Sequence, residues 1–339
     1  MIQTRVLPGD DEASIREAAA AIRAGEPVVF PTETVYGLGA NAFDAQAVAR
    51  VFAAKERPSF DPLIVHLADP AGILDLALAA DAGDARVRVL ADACWPGPLT
   101  IVLRKRPVIP GIVTAGLETV GLRVPDHPVA QRLIAAAGVP IAAPSANRFG
   151  RVSPTRVEHV VAQLGGRVHL VLDGGPCRIG VESTVVSLAG GRALLLRPGG
   201  TPSETIEALI GPLEVPTDGP DLRSLAPGRS TGHYAPRTSL VLLAADGGAA
   251  AQPGERLGLL AADDAGRRAA EGAGGPYAMV EVLSPSGDEI EAAARLFDSL
   301  HRLDAADLDR IVAQAVPDTG LGRAVMDRLR RAAARTSPS

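Results

Sequence analysis

The chain has 339 residues, 47% of them apolar and 22% charged, with a formal net charge of −5. That length suits two domains and that composition buries a real core, while the charge excludes a surface that embraces nucleic acid as a whole and leaves room only for a local basic pocket. Apolar runs fall far short of a membrane span and the start, MIQTRVLPGDDE, has no signal-peptide core; two cysteines, Cys94 and Cys177, cannot build a disulfide scaffold and lack metal-site spacing, so a cytoplasmic location is expected.

In chain order the elements alternate. DDEASIREAAAAIRAG (10–25) opens on acidic residues, repeats apolar positions at spacings of three and four, and ends on Gly25, which predicts a capped amphipathic helix. PVVFP (27–31) reads as a short strand, DAQAVARVFAAKE (44–56) as a helix, and LIVHL (63–67) as a strand of buried type. LTIVLRK (99–105) and TVGLRVP (119–125) are strands, HPVAQRLIAAAG (127–138) a helix, and PIAA (140–143) a strand. Helix TRVEHVVAQLG (155–165) precedes strands VHLVLD (168–173), STVVSL (183–188) and ALLLRPG (193–199). Hairpin-spaced and crossover-spaced strands together predict a twisted, mixed α/β sheet with flanking helices.

After helix SETIEALIG (203–211) the texture changes. Residues 214–238 are rich in Pro, Gly and Ser without periodicity, as in a linker. Pro227 and Gly228 form a candidate hinge before Arg229, His233 and Tyr234; so long a connection reads as a lid or, more plainly, as a solvated tether. Beyond it, strands SLVLLA, ERLGLLA, YAMVEVL and RIVAQAV alternate with helical segments, including 288–304 and 322–335. This predicts a smaller, largely parallel, Rossmann-like α/β domain. The expected division is 1–212, a linker or lid at 213–238, and 239–339, with no internal repeat.

No GxxxxGK[ST], strand-borne GxGxxG, HExxH, clustered Cys/His or GxSxG is present, so nucleotide chemistry would need another cradle. Four polar stretches sit at strand ends, where α/β sheets bind ligands. PTETVYGLGAN (31–41) brings three hydroxyls, a glutamate and two glycines, and KERPSFDPLIVHL (55–67) brings Lys55, Arg57, Ser59, Asp61 and His66. TVGLRVP carries Arg123; APSANRFGRVSPT (143–155) is followed by GVESTVVSL with Ser183 and LLLRPGG with Arg197. Taken singly, each has a structural explanation. Arg123 reads as a snorkelling or edge-paired side chain, His66 as a satisfied core histidine, Lys55 and Arg57 as complements of a helix dipole, and Ser145 and Asn147 as a self-satisfied turn. Taken together, the cations point to an anionic ligand such as a polyphosphate or carboxylate. Lysine and asparagine are scarce, with only Lys55 and Lys105, Asn41 and Asn147, which singles out Lys55 and Asn147.

In order, PTETVYGLGA, KxRP…PLIVH, GLRVP, PSANxxG and ESTVV…LRPG resemble the threonylcarbamoyl-AMP synthase family, built on the YrdC-like domain, over residues 12–210. APGRSTGHYAP and the trailing domain resemble its long, two-domain form. The resemblance implies an L-threonylcarbamoyladenylate synthase: L-threonine, bicarbonate or CO2 and ATP give threonylcarbamoyl-AMP and pyrophosphate. The product would pass to a machinery that modifies tRNA, without strong tRNA binding by this chain and without a membrane. It places Thr34, His66, Arg123 and Ser183 on L-threonine. It places Lys55, Arg57, Asp61, Thr119, Ser145, Asn147, Ser153, Arg197 and Tyr234 on ATP, with Lys55 and Arg57 catalytic. Mg2+ would arrive with ATP rather than on protein ligands alone. One position departs from the pattern: the family often has Asn where this chain has Asp61, and a carboxylate near a triphosphate needs Mg2+ or a cation such as Arg57 beside it.

Two other functions share the fold. A double-stranded RNA-binding module would use a concave basic face, but six Phe, three Tyr and one Trp offer little to stack on. A carbamoyl-adenylate enzyme would add zinc-finger cysteines and an acylphosphatase segment, and neither is visible.

Overall fold

The computed structural model describes residues 2–58, 61–216, 233–243, 252, 254–272 and 277–334. Ser59, Pro227, Gly228 and Arg229, and with them most of the expected lid, lie outside these residues. The chain forms two compact units. The first comprises 2–149, 154–178 and the residues from 182 to 216; the second takes Gly150–Ser153, Ile179–Val181 and the described residues from 233 onward.

In the first unit, β1 (Arg5–Pro8), α1 (Glu12–Arg23), β2 (Val28–Phe30), β3 (Gly37–Asn41) and α2 (Ala45–Lys55) lead to β4 (Ile64–His66). The short helices α3 (Ile73–Leu76) and α4 (Ala79–Ala82) and the longer α5 (Ala85–Cys94) precede β5 (Leu99–Arg104), β6 (Thr119–Arg123), α6 (Pro128–Ala137) and β7 (Ile141–Ala143). Then follow α7 (Val157–Leu164), β8 (Leu170–Asp173), β9 (Thr184–Ser187), β10 (Leu194–Arg197) and α8 (Ser203–Ile210). Ten strands form one mixed sheet in the order β1-β8-β2-β3-β7-β4-β6-β5-β9-β10. This is the mixed α/β sheet the alternating elements predict.

Helix ends follow local chemistry. Asp11 accepts from the Ser14 amide to cap α1, and Asp44 accepts from Gln46 and Ala47 to cap α2. The sequence pattern misses β1, β3 and the helices between 73 and 94. β1 is a largely exposed edge strand carrying Pro8, and α3 and α4 are single turns. β3 contains two glycines, which ordinarily weaken a strand. Its reason is spatial: a Cβ on Gly39 would stand 2.5 Å from Ile141 and 2.6 Å from Phe30.

The two sheet faces differ. Val29, Leu38, Val65, Leu122, Ile101 and Val186 join one large core that also holds residues of α2, α5, α7 and α8. On the opposite face, Val28, Phe30, Ile141, Ala143, Leu170 and Leu172 pack against α1 and α6. Because side chains alternate along a strand, that second face continues across β4, β6, β5 and β9 as Ile64, His66, Thr119, Gly121, Arg123, Thr100, Val102 and Val185, the strands being paired in that register. There it changes from apolar to polar. The site is built on this half.

The second unit holds β11 (Ser239–Leu242), β12 (Leu257–Ala261), α9 (Asp264–Gly272), β13 (Tyr277–Val282), α10 (Glu289–Asp304), β14 (Arg310–Ala313) and α11 (Gly322–Ala333). Its four strands are all parallel, in the order β11-β14-β12-β13.

Candidate active site

β4 and β6 run parallel with His66 directly opposite Arg123. Arg123 is 3% exposed, so it neither snorkels nor sits at an edge. Its Nε donates to the Gly97 carbonyl (3.1 Å) and its Nη1 to Thr34 Oγ1 (3.0 Å), while Nη2 lies 2.6 Å from Glu33 Oε1. Thr34 comes from the turn after β2, whose shape Thr32 fixes. Thr32 Oγ1 donates to the Val35 carbonyl (2.7 Å) and lies 2.8 Å from Thr34 Oγ1. With the Thr32 proton committed to Val35, Thr34 donates to Thr32 and faces the site as an acceptor.

His66 is buried, and its Nδ1 lies 3.3 Å from the Ile141 carbonyl. A carbonyl only accepts, so Nδ1 carries the proton and Nε2 is a lone-pair acceptor. Burial and then the Arg123 charge push the ring pKa down to about 3, which keeps it neutral. The core-histidine explanation therefore accounts for Nδ1 and leaves Nε2 as an acceptor.

The second group begins at the same strand ends, where β9 and β10 lie beside β5. Arg197, from the end of β10, donates through Nε (3.2 Å) and Nη2 (2.8 Å) to the Ser183 carbonyl, and through Nη2 (3.2 Å) to Ser183 Oγ. Ser183 Oγ also lies 2.8 Å from Thr100 Oγ1 on β5. Gly199 permits this approach, since a Cβ there would stand 2.3 Å from the Ser183 main chain. Arg57 pairs with Asp61 at 2.9 Å and donates to the Pro62 carbonyl (3.0 Å). Asp61 thus has the neighbouring cation that its departure from the family pattern demands. Its carboxyl is pushed up by burial against the opposing pull of Arg57, Lys55 and Arg197, so three cations gather about one carboxylate.

Lys55 ends α2 but does not serve its own helix carbonyls. Its ammonium donates to the main-chain carbonyls of Ser145 and Asn147, in the loop after β7. Burial and then Arg57 hold its pKa well below the usual lysine range. Two of its three N–H groups are thereby used, and Asn147 Nδ2 donates onward to the Arg148 carbonyl (2.8 Å). Ser145 and Thr119 are partly exposed. A cavity borders Thr119 over Gly121, lined also by Pro62, Ile64, Thr100 and Val185.

Ser153 and Tyr234 belong to the second unit. There His301 Nε2 lies 3.1 Å from the Ser153 carbonyl. Tyr234 is buried with φ 64°, stacked on Phe297 with centroids 5.7 Å apart, and has the Arg328 guanidinium 5.2 Å from its ring centre. The remaining predicted residues gather in the first unit. Sequence reasoning missed Thr32, Thr100, Gly121 and Gly199 as individual residues, although all but Thr100 fall within the quoted motifs. Glu33 belongs with them. It is 1% exposed, and its ion pair with Arg123 is close in distance but poor in direction, so both its oxygens lie buried without a hydrogen bond among the described residues.

Fold and site define a class: an α/β enzyme domain with buried cations and hydroxyls carried by one sheet face and by the segments that flank it. Two family models match, Sua5_yciO_yrdC, described as "Telomere recombination", over residues 20–199, and "Threonylcarbamoyl-AMP synthase, C-terminal domain" over 202–334. The threonylcarbamoyl-AMP synthase of Bacillus subtilis is 44% identical over 334 residues, covering 95% of this chain and 94% of that one. The synthase of Pyrococcus abyssi is 43% identical over 326 residues, covering 95% and 94%. A crystal structure of P. abyssi Sua5 complexed with L-threonine superposes with a TM-score of 0.84 at 39% identity, covering 98% and 97%. The chain belongs to the threonylcarbamoyl-AMP synthase family, in its long, two-domain form. These relatives do not favour the RNA-binding alternative.

Proposed function

We propose that this chain forms threonylcarbamoyl-AMP and pyrophosphate from L-threonine, bicarbonate or CO2, and ATP. The observation that carries the reading is how one sheet face and the segment between α2 and β4 place their charged side chains. Arg123, Thr34 and neutral His66 form one subsite, and Lys55, Arg57 and Arg197 surround Asp61 in another, with Ser183 held between Thr100 and Arg197.

Arg123 takes the threonine carboxylate through the N–H groups its protein partners leave over. His66 Nε2 and Thr34 Oγ1, both acceptors, read the threonine hydroxyl and reject valine, which would leave the buried Nε2 without a donor. N-carboxy-threonine and the α-phosphate of ATP are both anionic, so the site must supply positive charge and alignment rather than a covalent nucleophile. Arg57, Arg197 and the remaining N–H of Lys55 supply that charge, while Thr119, Ser145 and Asn147 hold the nucleotide.

No group of three or more His, Cys, Asp or Glu side chains is placed to hold a metal among the described residues. Mg2+ would arrive with the phosphates of ATP rather than on protein ligands alone. Bound there, it would offset charge on the departing pyrophosphate. The product would pass to a machinery that modifies tRNA. No helix among the described residues is long and apolar enough to cross a membrane. Both cysteines are free, as a reducing compartment would keep them.

The test is to incubate the full chain with ATP, Mg2+, bicarbonate and L-threonine, omitting each in turn, and to follow pyrophosphate and the adenylate by mass spectrometry. Formation of the adenylate in the absence of threonine or bicarbonate would overturn the assignment.

A further inference from the structure

We propose that Glu33 receives the α-ammonium of the amino-acid substrate and accepts its proton as the carbamate forms. The inference rests on the threonine reading of the site. Buried carboxylates ordinarily accept several hydrogen bonds. Glu33 is 1% exposed, yet neither oxygen accepts one among the described residues. It therefore retains acceptor capacity beside Arg123, within the turn that also supplies Thr34.

Charge bookkeeping points to the same occupant. Arg123 contributes one cation, Glu33 contributes one anion 2.6 Å away, and His66 is neutral. A simple anion would meet an arginine already offset by Glu33. A zwitterion matches both: its carboxylate on Arg123, its ammonium on Glu33. The other titratable groups facing Glu33 are His127, which caps α6, and the Cys177 thiol, pushed up by burial. Neither brings a fixed positive charge that would compete for the carboxylate.

The chemistry needs such a group. An ammonium has no lone pair to attack carbon, so a base must first take a proton. Glu33 takes it: an N–H bond breaks and a carboxyl O–H forms. As the freed amine bonds to the bicarbonate carbon, the second amine proton leaves with the bicarbonate hydroxyl as water. Ammonium, bicarbonate and the Glu33 carboxylate thus become carbamate, water and protonated Glu33, with atoms and charge balanced. Neutralising Glu33 also removes the repulsion the new carbamate would otherwise meet, and it frees Arg123 to hold anions.

Two measurements on the full chain test this. The first needs no turnover: calorimetric binding of L-threonine and of its des-amino analogue, β-hydroxybutyrate, without ATP. Wild type should bind the analogue at least about 10-fold more weakly, as expected for losing a charged hydrogen bond, and Glu33→Gln should erase most of that preference. Equal binding of both ligands by wild type overturns the inference, even if the Gln variant does not fold. The second follows pyrophosphate release against pH. Glu33→Gln should lose about 10²-fold near neutral pH and recover steeply toward about pH 9, where the free amine of the substrate supplies itself. Glu33→Asp should retain part of the activity without that steep recovery. A loss that pH does not relieve makes Glu33 a mere support for Arg123 and sinks the proton-acceptor role. If wild type releases no pyrophosphate from threonine, bicarbonate and ATP, the proposed function itself fails; if it does so but does not discriminate the analogue, only the Glu33 assignment fails.

Discussion

The ammonium of Lys55 donates to the main-chain carbonyl of Asn147, joining one of the chain's two lysines to one of its two asparagines. The same ammonium holds the Ser145 carbonyl. Lys55 is thus a clamp on the loop after β7, and in the proposed reaction it is also a cation for the phosphates.

Those two roles separate by substitution. Lys55→Ala should leave two buried carbonyls without a donor, costing about 1–3 kcal/mol of stability, and lower pyrophosphate release by roughly 10² or more. Lys55→Gln keeps a donor but no charge, so it should restore most of the melting temperature and little of the turnover. Unchanged turnover in both variants would remove Lys55 from the phosphate subsite.

Arg123→Lys keeps the charge but cannot reach Gly97, Thr34 and Glu33 with one planar fork. The KM for threonine should rise far more than the KM for ATP. Steady-state kinetics with each substrate varied in turn would reveal it, and an equal rise in both would show that Arg123 is not the carboxylate clamp.

Asp61→Asn removes the negative charge beside Arg57 while leaving the Arg57 bond to the Pro62 carbonyl. ATP should bind several-fold more tightly, as expected for deleting one like charge near its phosphates at an effective dielectric of about 20, and threonine affinity should be unaffected. Weaker ATP binding would instead make Asp61 a partner of the metal that travels with ATP.

His66 sets a pH dependence. The folded ring resists protonation down to about 3, while the unfolded ring takes a proton near its ordinary 6.5. The unfolded state therefore binds the extra proton, so this residue's contribution to stability is complete above about pH 6.5 and is lost as pH falls toward 3. His66→Gln keeps a donor for the Ile141 carbonyl and should flatten the acid limb of melting temperature against pH. An unaltered acid limb would assign that limb to other groups.

From the sequence alone came the helices and strands with clear periodicity, the alternation that makes an α/β fold, and the motifs that carry Lys55, Arg57, His66, Arg123, Asn147, Ser183 and Arg197. Those signals are local: 3.6-residue and two-residue repeats and capping side chains act within a few residues. β3 escaped that logic because its glycines answer to Phe30 and Ile141, which lie elsewhere in the chain.

Only the tertiary structure decided how the motifs meet. Strand pairing sets His66 opposite Arg123, from segments far apart in sequence. The same pairing brings Thr100 to Ser183 and delivers the carbonyls of Ser145 and Asn147 to Lys55. Whether Arg123 snorkels or is buried, which nitrogen of His66 carries the proton, and whether Glu33 finds a donor are likewise settled by packing. Hydrogen-bond direction and burial depend on neighbours that the chain brings together only when the sheet forms.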